Sequence, residues 1–121
     1  MLNCIVVGLG GFIGSVMRYL ISMIPIKNPV GFPINTCIIN ILGALLIGYI
    51  VGAASRNTMT DPRLILFLKT GICGGFTTFS TFALETADLM KAGKTEVALV
   101  YMMISAAAGI LAVFAGENLI K

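Results

Sequence analysis

The chain has 121 residues, of which 58% are hydrophobic and 11% charged, with a formal net charge of +3 and a mean hydropathy of +1.02. A charged fraction so far below the roughly 25% of an ordinary soluble domain excludes a water-soluble fold and predicts an integral membrane protein. The charge is too small and dispersed to hold nucleic acid, and with no His and five acidic residues a metal or acid–base enzyme has almost nothing to work with.

The apolar runs predict an all-α membrane protein with four transmembrane helices over about 3–24, 33–54, 63–90 and 96–119, in one domain covering 1–121. A cleaved signal peptide does not fit, because the first run is too long, lacks a basic start and is followed by further spans. Cys4, Cys37 and Cys73 all fall in apolar runs without a C-x-x-C spacing, which predicts buried free thiols.

The first span opens Val6-Val7-Gly8-Leu9-Gly10-Gly11-Phe12-Ile13-Gly14. A dinucleotide-binding loop is excluded, since Ile13 stands where the third glycine belongs and no acidic residue precedes Asp61. Gly10 and Gly14, like Gly11 and Ser15, are four apart and suit close helix packing. Arg18 lies inside the apolar run about two turns from its end, open to snorkelling or to a role in an aqueous vestibule. Pro25 and the polar Lys27-Asn28-Pro29 close the span.

The second span starts at Pro33, a residue suited to a first helical turn. It carries Thr36, Asn40, Ala44, Gly48 and Gly52 at four-residue spacing, a narrow stripe of small and polar side chains. Asn40 can make an interhelical hydrogen bond, worth ~0.6 kcal/mol in a membrane, or aim an N–H at a permeating anion.

The third span contains Gly71-Ile72-Cys73-Gly74-Gly75-Phe76-Thr77-Thr78-Phe79-Ser80-Thr81-Phe82-Ala83-Leu84-Glu85. Two adjacent glycines leave a helix loose, and the hydroxyls from Thr77 to Thr81 compete with helical hydrogen bonds. The pieces on either side, about ten residues each, are roughly 16 Å long, half a hydrocarbon core. This predicts a span broken near the midplane, where irregular backbone survives only against protein or water and so marks an ion or substrate site. The plainer alternative is an unbroken helix whose glycines admit a neighbour and whose hydroxyls bond their own turn. Phe79 and Phe82, three apart, can project to one side as packing or, through their positive ring edges, as an anion lining.

The fourth span sets Tyr101, Ser105, Gly109 and Gly116 on nearly one face. Tyr101 reads as an interface aromatic or as the start of a polar track that Ser105 continues. Around the four spans the charges balance, with Arg56, Arg63 and Lys121 on one side against Lys27, Lys91 and Lys94 on the other, and Lys69 against Arg18 within the spans. Balanced flanks predict insertion in both orientations and an antiparallel dual-topology dimer. Four short spans are also too few to enclose a polar path alone.

The Gly74-Gly75-Phe76-Thr77-Thr78-Phe79-Ser80-Thr81-Phe82 run strongly resembles the signature of the Fluc (CrcB) fluoride channels. So do Gly10-Gly11…Gly14…Arg18-Tyr19 and the Asn40-x-x-Gly43 element, so that the resemblance covers essentially the whole chain. It implies a dual-topology antiparallel dimer in a prokaryotic cell membrane, exporting fluoride passively through two pores. It implies pores lined by Phe79 and Phe82 with Asn40, Ser80 and Thr81 as donors, and a polar track beginning at Tyr101 and Ser105. Further track positions, hydroxyls in many members, are Gly109 and Val113 here. It also implies a structural sodium ion at the dimer centre, held by backbone carbonyls at Gly74 and Thr77. Glu85 matches an acidic position just past the motif, a vestibule position like Arg18. The partner is a second copy or a paralogue.

Two other function classes are compatible with four greasy spans. A proton-coupled exporter of the small multidrug resistance type needs a carboxylate in the first span, which has none. A non-transporting membrane scaffold needs no polar path at all.

Overall fold

The computed structural model describes residues 1–120; Lys121, counted above among the flanking charges, lies outside them. Helix α1 spans Leu2–Ser22 and α2 spans Ile34–Ser55, with Pro33 as the residue just before the first turn. The third span is composite. It runs through α3 (Pro62–Ile65), a π-helical stretch (Leu66–Cys73) and α4 (Gly74–Phe76), and resumes after Thr77 and Thr78 as α5 (Phe79–Lys91). Helix α6 covers Thr95–Asn118. Four helical segments are long and apolar enough to cross a membrane, which makes this a multi-pass membrane protein.

Local chemistry sets the ends. Asp61 caps α3 by accepting from Arg63 N at 3.0 Å, with Pro62 in the first turn. The α1–α2 connection is tied from the far side: Asn35 Nδ2 donates to Ile21 O at 2.9 Å and Ile24 O at 2.8 Å, a second donor on carbonyls that also accept from Ile24 N and Ile26 N.

Packing is pairwise. Helix α1 lies on the π-helical stretch and α4, while α2 lies on α6. Both pairs meet through glycine. A Cβ on Gly10 would stand 2.6 Å from Phe67 O and 2.8 Å from Gly71 Cα, so the two backbones are in direct contact there. Gly48 and Gly116 do the same between α2 and α6, where added carbons would strike Val113 O and Leu45 O. The small-residue stripe of the second span therefore serves two neighbours. Its end at Gly48 and Gly52 seats α6, and its start at Thr36 and Asn40 faces the broken span. The buried cluster around Cys37, Leu89, Ala98 and Tyr101, with Phe32 and Phe82 against it, fills the space between α2, α5 and α6.

Candidate functional site at the helix break

The helix does not stop at Gly74-Gly75. Gly74 has helical dihedrals (φ −64°, ψ −37°), and the backbone first becomes extended at Thr77 (φ −80°, ψ 155°) and Thr78 (φ −148°, ψ 116°). Tertiary packing overrides the weak propensity of the two glycines, because Gly75 is pressed against α1 where a Cβ would lie 2.5 Å from Gly11 O.

At membrane depth each interrupted backbone group needs another partner, and three distant or neighbouring side chains supply them. Asn40 Oδ1 accepts from Thr78 N at 2.9 Å while its Nδ2 donates to Thr78 O at 3.2 Å, clasping one residue by both backbone groups. Arg18 Nε donates to Gly75 O at 3.0 Å, replacing the Phe79 N–H that would reach it in a continuous helix. The hydroxyl of Thr78 accepts from Thr81 N at 3.2 Å and so caps α5. Thr78 Oγ1 also donates to Thr81 Oγ1 at 3.1 Å and lies 3.4 Å from Ser80 Oγ.

These substitutions leave carbonyls at the end of α4 without their helical donors. In a continuous helix Thr78 N would donate to Gly74 O and Thr81 N to Thr77 O; both donors are turned elsewhere. On the other side of the break, the first N–H groups of α5 lie beyond the end of α4 and have no helical carbonyl to meet. The break thus presents oxygens from one half-helix and N–H groups from the other, with dipoles that favour a cation and an anion respectively.

A cavity of about 450 Å³ opens beside it, lined by Asn40, Gly74, Thr77, Thr78, Phe79, Phe82 and Ser105, with Lys69 and Cys73 on the wall contributed by the π-helical stretch. The structure brings Asn40, Phe79, Phe82, Ser105, Gly74 and Thr77 together here. Phe79 projects outward and is 78% exposed on the single chain, whereas Phe82 is half-buried, 5.7 Å from Phe79 and 5.0 Å from Tyr101 between ring centroids. Ser105 Oγ donates a long 3.8 Å bond to Cys37 Sγ, a weak hold on a hydroxyl that lines the cavity.

The remaining sequence-derived positions lie around this space, not on its wall. Ser80 is exposed beside Thr78, and Thr81 is held in the cap. Tyr101 is fully buried, not an interface aromatic, and donates to Glu85 Oε1 at 2.9 Å; Thr36 donates to the other oxygen, Glu85 Oε2, at 2.9 Å. Glu85 is therefore a carboxylate held by two hydrogen bonds. Arg18 is anchored on Gly75 and does more than snorkel.

Thr78, Thr36 and Lys69 were not singled out by reading the sequence for site residues. Thr78 had a local signal, a hydroxyl one residue before an apolar helical run, which is the position of an N-cap. Thr36 had its place in the polar stripe of the second span, but nothing local named its partner, Glu85, 49 residues away.

A family model described as CrcB-like protein, Camphor Resistance (CrcB), matches residues 5–117. The chain is 47% identical to the fluoride-specific ion channel FluC of Ruminiclostridium cellulolyticum over all of this chain and 94% of that one. It is 45% identical to the protein of the same name from Chlorobaculum tepidum, over all of this chain and 96% of the relative. For the FluC protein of Clostridium perfringens the identity is 42%, over 100% and 95% of the two chains. A match across nearly the entire length, on the segments that build the helix break, shows that this chain belongs to the CrcB-like family.

Proposed function

We propose that the chain is a passive fluoride channel that lowers cytoplasmic fluoride, and not an enzyme. The observation that carries this is the cavity at the break, which offers neutral donors and aromatic edges and no carboxylate. Fluoride is small and strongly hydrated, so a selective path must replace water with close donors. Nδ2 of Asn40 spends one N–H on Thr78 O and keeps a second for the cavity. The Ser105 hydroxyl and the first N–H groups of α5 add donors, and the edges of Phe79 and Phe82 add the positive part of their quadrupoles. Ser80 and Thr81 extend this donor set beyond the cavity wall, while Tyr101, whose O–H goes to Glu85, fixes that carboxylate beside the path.

The path is completed by a second chain, either another copy or a paralogue, in an antiparallel dual-topology dimer. Support comes from Phe79, which stands out from the single chain, from the large apolar side chains exposed on α1 and α6, and from the balanced flanking charges. A structural sodium ion fits the break. The carbonyls of Gly74 and Thr77 have lost their helical donors, and hard oxygen ligands suit a hard cation. When bound, the ion supplies positive charge that holds these carbonyls; Asn40, Arg18 and Thr78 do the rest of the positioning.

Purified protein in liposomes tests the reading. Passive fluoride efflux without proton or sodium coupling is expected, with activity or dimer order weakened when a large organic cation replaces sodium. Proton-coupled efflux of organic cations, or no flux, would overturn the channel; stoichiometric sodium flux would overturn the structural role of sodium.

A further inference from the structure

The cavity beside the break carries one formally charged side chain among the described residues, and it is a lysine, Lys69. The chain's carboxylates are elsewhere. Asp61 caps α3, Glu85 is engaged by Thr36 and Tyr101, and Asp88, Glu96 and Glu117 do not line this space. Lys69 is exposed and sits seven residues past Pro62 on the π-helical stretch. At 1.5 Å per residue that is about 10 Å along the span, roughly a third of the way through a hydrocarbon core. An ammonium against lipid at that depth is costly. The i→i+5 pattern puts residues four and five apart on one face, and Cys73 and Gly74, four and five beyond Lys69, share its cavity. The π-helical turn therefore sets the cation on the same side as the cavity-lining Cys73 and Gly74.

We propose that Lys69 is the electrostatic entry residue of the anion path, a specificity-determining group of the cavity that concentrates anions in front of the neutral groups Asn40 and Ser105. A positive charge lining a low-dielectric cleft focuses field into it and raises the local anion concentration. As an exposed group, it attracts without forming the fixed ion pair that would trap fluoride among the donors. This inference rests on the channel reading above.

The test is fluoride efflux from liposomes at low fluoride and two ionic strengths, set with an impermeant salt, for the parent, Lys69→Gln and Lys69→Arg. Lys69→Gln is expected to slow efflux about three- to tenfold at roughly 10 mM ionic strength, where the screening length is about 30 Å, and by much less near 1 M. Lys69→Arg should keep the parental rate. A second arm uses Lys69→Cys with Cys4→Ala: a cationic thiol reagent should speed efflux and an anionic one of similar size should slow it. The size-exclusion profile of each variant reports folding independently. Parental efflux from Lys69→Gln, an effect indifferent to salt, or equal effects of the two reagents would overturn the assignment while leaving the channel intact. A parent that conducts no fluoride would overturn both.

Discussion

Phe79 and Phe82 occupy one side of α5, yet their surroundings differ enough to separate packing from permeation. The ring of Phe82 rests on Tyr101, itself fully buried, whereas Phe79 has little packing within its own chain. Phe79→Ile is expected to leave the helical circular-dichroism signal of the purified protein unchanged, since the ring packs little within its own chain, while slowing fluoride efflux tenfold or more. Phe82→Ile should slow efflux and also lower stability by roughly 1 kcal/mol as the contact with Tyr101 is lost. Unimpaired efflux from a well-folded Phe79→Ile protein would remove that ring from the pore. Asn40→Asp is a poorer probe than its shape implies. It discards the Nδ2 bond to Thr78 O and sets a carboxylate against a carbonyl, so the break would loosen whatever the permeating ion feels.

At the scale of elements, adjacent glycines in one helix have opposite duties. Gly75 faces α1, where an added Cβ would lie 2.5 Å from Gly11 O and 3.0 Å from Gly11 Cα, both backbone atoms that cannot swing aside. Gly74 faces the cavity, and nothing stands within 4 Å of the corresponding position. Gly75→Ala is therefore expected to push α1 and α4 apart and destabilise the protein by about 1–3 kcal/mol, the usual cost of overpacking. Gly74→Ala, in an ordinary helical conformation, should fold normally and reduce efflux by narrowing the cavity. Thermal unfolding in detergent and efflux from liposomes give the two readouts. Equal stability of the two variants would contradict the close approach of α1 and α4.

For the whole molecule the decisive quantity is the distribution of charge across the membrane. The flanking cations cancel between the two sides, the balance on which the proposed dual topology rests. A cysteine appended after Lys121, in a Cys4→Ala background, should be labelled by an impermeant thiol reagent in about half of the molecules in intact cells. Adding two lysines to the loop at 55–61 should drive that fraction towards one extreme. Labelling from a single side in the unmodified chain would rule out an antiparallel homodimer and leave only a partner of opposite orientation.

Composition and local periodicity were enough for the membrane class, the four spans, the interruption of the third and the family, because each depends on residues close together in the chain. The 58% hydrophobic content and four apolar runs make the bilayer the solvent, and a run of glycines and hydroxyls inside one of them marks weak helix without any knowledge of its neighbours. Where the break falls was a tertiary decision. Gly74-Gly75 stays helical under pressure from α1, and Thr77-Thr78 opens because Asn40, 38 residues away, takes both backbone groups of Thr78. Arg18 reaches Gly75 across 57 residues and Thr36 reaches Glu85 across 49. No local pattern encodes such pairs. They exist because backbone groups and a carboxylate withdrawn from water must each be met by a hydrogen-bonding partner, and only the folded chain determines which side chains arrive within reach.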